Sequence, residues 1–231
     1  MKMLAKGSIG ALLLAAAMSA AAFPVNVTSI DGTFENTTGN GVNGNGTSLI
    51  SWGNGIQSSY EFTGATPLPV INDDSAFVLG MLTHTNNQVS GGTLTSADLA
   101  VTLGFSAAGI TGAGEGEFVF THNETPDTAC TGTLFLGICW FGSFTGDVND
   151  TITQTGASVT SSDFILGGVE YSLELLGLSA DGSTPENTVQ DYNLWARLNA
   201  TALPVSVPEP GTLALLGLGL AGLGMARRRK A

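Results

Sequence analysis

Apolar and polar residues alternate with a period of two along much of this 231-residue chain. In SADLAVTLGF, residues 96–105, Leu99, Val101, Leu103 and Phe105 fall on one face of an extended segment. In GGVEYSLELL, residues 167–176, Val169, Tyr171, Leu173 and Leu175 oppose Glu170, Ser172 and Glu174. DYNLWARLN, residues 191–199, repeats the pattern with Tyr192, Leu194, Ala196 and Leu198 together. A period of two is that of a strand with one face buried. In DDSAFVLGMLTHTNNQV, residues 73–89, it places Phe77, Leu79, Met81 and Thr83 on one side and Val78, Gly80, Leu82 and His84 on the other. Between such runs lie clusters of Gly, Asn, Ser and Thr, the largest at Glu35 to Ser48, which read as turns or a mobile loop. Residues 23–206 contain no sustained helical periodicity. The pattern predicts about eight to eleven short strands in an all-β fold, an antiparallel β-sandwich of jelly-roll-like type.

Both ends depart from this pattern. Residues 1–22 read as a secretory signal peptide: Lys2 and Lys6 precede an apolar stretch, and small residues at Ser19 to Ala22 suit cleavage. At the other end, residues 211–226 form an apolar run that would span roughly 24 Å as a helix, against a hydrocarbon core of about 30 Å. Arg227, Arg228, Arg229 and Lys230 follow as a stop-transfer signal that keeps the C-terminus cytoplasmic. Pro208, Glu209 and Pro210 hold the entrance to that short transmembrane helix extended. Pro-Glu-Pro, short Gly/Leu helix and Arg-rich tail, in that order over residues 207–231, resemble the PEP-CTERM sorting signal of Gram-negative bacteria. The resemblance implies a partner, the membrane transpeptidase exosortase, which cuts near the motif. It also implies passage through the inner membrane to the cell surface or extracellular matrix. The chain thus divides into a signal peptide at 1–22, one domain at 23–206 and a sorting signal at 207–231.

Charge narrows the function of that domain. Eighteen of the nineteen acidic residues lie within 23–206, where Arg197 is the sole Lys or Arg, leaving seventeen net negative charges. Such a body has no basic footprint for phosphates, which excludes nucleic acid as a partner. Divalent cations or neutral polysaccharide are compatible, and so is a purely solubilising role for the charge. Cys130 and Cys139, with eight residues between them, suit a disulfide in an exported protein, worth about 2–3 kcal/mol for so short a loop.

Thr83-His84-Thr85-Asn86, together with FVFTHNETPD at residues 118–127, resembles the THxN family of PEP-CTERM proteins. That resemblance implies a β-rich body and no established catalytic activity; Thr83, His84, Asn86 and Glu124 are its motif residues, of unassigned role. His84 and His122 with Glu124, Asp127 and the Asp73-Asp74 pair suggest a metal site or a carboxylate pair for glycoside cleavage. Nothing in the spacing shows that these groups converge, and the favoured reading is structural: His84 and Asn86 end a strand by bonding a turn, and residues 124–127 are themselves a turn. Asp147, Asn149 and Asp150 occupy spacings seen at the start of a calcium loop. The glycine and glutamate of an EF-hand are missing, so only a weak surface calcium site is expected there, and no other cofactor. Without a nucleophile elbow, zinc-protease helix or phosphate loop, the sequence points to a non-enzymatic protein, structural or polysaccharide-associated. The rival reading is a surface glycan hydrolase with carboxylates in a sandwich groove.

Overall fold

The computed structural model describes residues 22–125 and 149–203 together with 129–130, 133–135, 138–140 and 144–145. Residues 1–21 of the expected signal peptide and all of 207–231 lie outside the described residues.

Strands are numbered β1 to β16 in chain order. One six-stranded sheet runs, edge to edge, β15 (Gly182–Thr184), β12 (Asp150–Val159), β7 (Ile110–Asn123), β6 (Thr93–Ala107), β1 (Val25–Asn40) and β4 (Val70–Ile71). The other runs β13 (Phe164–Leu166), β14 (Val169–Leu178), β16 (Thr188–Ala202), β5 (Ala76–Asn86), β3 (Ser58–Gly64) and β2 (Leu49–Trp52). Two short pairs complete the described strands: β8 (Ala129–Cys130) with β11 (Phe144–Thr145), and β9 (Thr133–Phe135) with β10 (Ile138–Trp140). Neighbouring strands pair antiparallel, and the two large sheets curl and pack together as a sandwich.

The expected faces of three strands hold. Leu99, Val101, Leu103 and Phe105 of β6, Val169, Tyr171, Leu173 and Leu175 of β14, and Leu194, Ala196 and Leu198 of β16 all enter one core cluster. Strand number and length differ from expectation. Seven of the sixteen described strands have only two or three residues, too few for alternation to register, whereas β1 has sixteen and β6 fifteen. Register shifts between Val27 and Ser29 and between Glu35 and Thr38 let these long strands bend.

The Gly/Asn-rich stretch 35–48 is likewise strand for its first part, through Asn40. Pairing decides this over composition: Thr38, Gly39 and Asn40 continue the ladder to Ser96, Leu94 and Thr93, and the Thr38 hydroxyl lies 2.7 and 2.6 Å from those of Thr95 and Ser96. Gly39, at φ 138°, passes so close to the Thr93 carbonyl that a Cβ there would overlap it.

Strand β7 supplies the complementary packing device. Its core face begins with glycine at 112, 114 and 116, and onto these fit Phe164 of β13 and Leu173 and Leu175 of β14. Large side chains of one sheet thus fill the space left by small ones on the other.

Candidate functional site

Pairing with β16 puts a bulge into β5. Leu194 pairs with Gly80 and Trp195 with Val78, so Leu79 is the extra residue and the alternation restarts beyond it. Leu79 and Leu82 are therefore both fully buried, where uniform alternation put them on opposite faces. After the bulge Leu82, His84 and Asn86 all point into the sandwich, and the latter two are completely buried.

Across from them, β7 ends with His122 facing inward, at 7% exposure, and β12 begins with Asp150, at 0%. Thr125 binds one side of that carboxylate: its N–H and its hydroxyl both donate to Asp150 Oδ1, at 2.7 and 2.9 Å. The other oxygen, Oδ2, lies 3.8 Å from His122 Nε2. Glu124, just past β7, accepts the indole N–H of Trp52 at 2.6 Å on Oε2, which is also 3.2 Å from His122 Nε2. The Tyr60 hydroxyl lies 2.7 Å from His122 Nδ1.

His84 is held in the same way from the far side. Its Nδ1 is 2.7 Å from the Thr184 hydroxyl, which is 2.8 Å from that of Tyr192, and Asn86 donates to the Thr184 carbonyl at 3.0 Å. Trp52 and Tyr60, both fully buried, wall the cluster: ring centroids of Trp52 lie 5.9 Å from His84 and 5.0 Å from His122. One ring nitrogen of each histidine and one Asp150 oxygen lie within 4.8 Å of one another, as do single oxygens of Glu124, Asp150 and Glu186.

Burial sets the electrostatics. It holds His84 down at about 3, with His122 alongside contributing, so the ring is neutral at physiological pH. Burial pushes Asp150 up to about 6, helped by the charge of Glu124 and opposed by the bonds from Thr125 and by His122. Tyr60 is raised well above 10.0 by burial and then by Asp150, so it stays a neutral hydroxyl.

Of the residues singled out in the sequence, the fold gathers His84, His122, Glu124 and Asp150. Glu186, Trp52, Tyr60 and Thr184 join them without any motif to mark them. Thr83 points outward and donates to Asp191 at 2.7 Å. Asp73 and Asp74 sit in an exposed turn before β5, about 30 Å of extended strand from His84. Asn149 is exposed and donates to Ser183 at 3.0 Å, facing away from Asp150. Asp127, Asp147 and the side chains of Cys130 and Cys139 lie outside the described residues.

Past the sandwich, the chain carries Pro208, Glu209 and Pro210, an apolar run and four cations. Residues 206–230 match the PEP-CTERM protein-sorting motif. A PEP-CTERM motif implies an exported protein that exosortase processes and sorts to the cell surface. No curated protein matches the chain.

Proposed function

We propose that this PEP-CTERM protein serves a structural or polysaccharide-associated role at the cell surface or in the extracellular matrix of a Gram-negative bacterium, without catalysis, as its resemblance to the THxN family suggests. The sorting motif at residues 206–230 carries the reading. A body with seventeen net negative charges suits a hydrated exterior matrix. Half-buried Trp195 and Tyr192, with Asp191 and Asn193, line a surface cavity of about 290 Å³ on the second sheet, a mix of aromatic and polar groups suited to a sugar. Glycoside cleavage requires two carboxyl groups flanking a bound sugar. The carboxylates that approach one another at the histidine cluster, Glu124, Asp150 and Glu186, belong to the sandwich interior, which favours the non-catalytic reading over a surface hydrolase.

Intact-mass analysis of the native protein tests the sorting step. Surface material from an exosortase-positive host should end near residue 210, and an exosortase-deficient host should retain the tail. Recovery of intact Arg227-Arg228-Arg229 from the surface of the competent host would overturn it. Export also supplies the oxidising compartment for a Cys130–Cys139 bridge. Thiol alkylation without prior reduction should then label neither cysteine.

A further inference from the structure

We propose that His84, His122 and Asp150, backed by Glu124 and Glu186, form a closed structural site for one divalent transition ion, zinc by preference, which clasps the two sheets together. His84 comes from β5 of one sheet and His122 and Asp150 from β7 and β12 of the other. Their donor atoms lie within 4.8 Å of one another. In a tetrahedral zinc site with bonds of about 2.0–2.1 Å, ligand atoms are roughly 3.3 Å apart, so a small inward movement closes the cluster.

Three observations separate this cluster from an ordinary buried polar network. First, His84 Nε2, Asp150 Oδ2 and Glu124 Oε1 are buried and lack a hydrogen-bond partner. Each belongs to a group whose other atom is firmly held, by Thr184, Thr125 and Trp52 respectively. Orphaned atoms of this kind cost about 1–3 kcal/mol each when nothing binds them. Second, the held atoms carry the outer-shell pattern of metal ligands, in which the distal ring nitrogen donates to an oxygen and thereby fixes the tautomer. With Nδ1–H of His84 donating to Thr184, its Nε2 lone pair is free for a metal; His122 Nε2 now contacts Glu124 Oε2 at 3.2 Å and turns its lone pair to an ion once its Nδ1–H donates to Tyr60. Third, Glu124 and Asp150 approach one another inside a body whose sole Lys or Arg, Arg197, lies instead 3.4 Å from Glu174.

The donor set selects the ion. Imidazole nitrogen with carboxylate oxygen suits zinc and its neighbours, whereas calcium and magnesium favour all-oxygen shells. Burial of His84, His122 and Asp150 makes the site a clasp rather than a reaction centre.

The test uses the exported protein, stripped by chelator in denaturant and refolded with zinc, with calcium, or with sodium chloride at matched ionic strength. Native mass spectrometry should find one zinc per chain. The melting temperature should rise by about 5–10 °C when free zinc exceeds the dissociation constant about a hundredfold. Cobalt substitution should give d–d bands without thiolate charge transfer, which separates this site from the cysteines. In EDTA, Asp150→Asn should melt at or above the wild type, since it removes an uncompensated buried charge while keeping the oxygen that Thr125 holds. The same variant should lose at least tenfold in zinc affinity. His84→Gln should lose zinc affinity to a similar extent, a second variant that guards against one that fails to fold. A folded wild type that takes up no zinc would overturn the proposal. So would a zinc response unchanged in both variants, or a shift produced by calcium and not by zinc.

Discussion

Replacing Trp52 by alanine should destabilise the metal-free protein by about 3–5 kcal/mol, the range for deleting a large buried aromatic. Trp52 is fully buried at the end of β2, and its ring contacts Tyr60, His84 and His122 at centroid separations of 5.2, 5.9 and 5.0 Å. Removing it opens a cavity between rings that are themselves hydrogen-bonded and cannot collapse into the space. It also strips Glu124 Oε2 of its 2.6 Å indole donor, leaving His122 Nε2 at 3.2 Å as its neighbour. Trp52→Phe separates the two contributions. Phenylalanine keeps much of the ring volume and loses the donor, so it should cost about 1.5–3 kcal/mol, the value of a hydrogen bond to a charged group. Urea unfolding in EDTA, with an unchanged m-value, measures both. If Trp52→Ala cost less than about 1 kcal/mol, the ring would not be the wall of the cluster that its burial indicates.

How much of this was legible in the sequence depended on what each segment's neighbours do. The faces of residues 99–105 of β6, 169–175 of β14 and 194–198 of β16 could be read directly, because within those spans alternation runs without interruption and one side is buried. Strand β5 could not, because its bulge at Leu79 is defined by the partner strand β16 and leaves no local mark in the sequence. The end of β1 was hidden by composition: Gly39 and Asn40 resemble a loop until Thr93 and Leu94 are seen beside them.

The site shows the same division. His84, His122 and Glu124 stood out as chemistry-bearing residues, yet only pairing between β7 and β12 places Asp150 with them. Adjacency in the sequence grouped Asp150 with Asn149, but Asn149 precedes β12 and is exposed against Ser183, whereas Asp150 opens the strand fully buried. Glu186 and Tyr60 have no local signal at all. They arrive through the turn after β15 and through ordinary strand alternation in β3.

Glycine recurs with a period of two at 112, 114 and 116, and substitution there should run against strand propensity. Gly114 has no positive φ, so on strand propensity alone Gly114→Val should stabilise β7. The packing predicts the reverse. A Cβ at 114 would stand 2.9 Å from Leu173 Cδ2 and 3.3 Å from Phe105 Cε2, and valine adds two further carbons. Overpacking of this kind costs about 1–3 kcal/mol. Leu173→Ala should itself cost about 2–5 kcal/mol through the cavity it leaves. Combined, the two should be less damaging than their sum by about 1–3 kcal/mol, because valine occupies the space that leucine vacates. Gly116 provides the contrast. A Cβ there meets Leu175 Cδ1 at 2.5 Å and also the backbone carbonyl of Ser158 at 2.6 Å. Trimming Leu175 cannot move that carbonyl, so Gly116→Val with Leu175→Ala should recover much less. Equal recovery at both positions in a double-mutant cycle would show that β7 shifts as a body, and that its glycines do not set the spacing between the sheets.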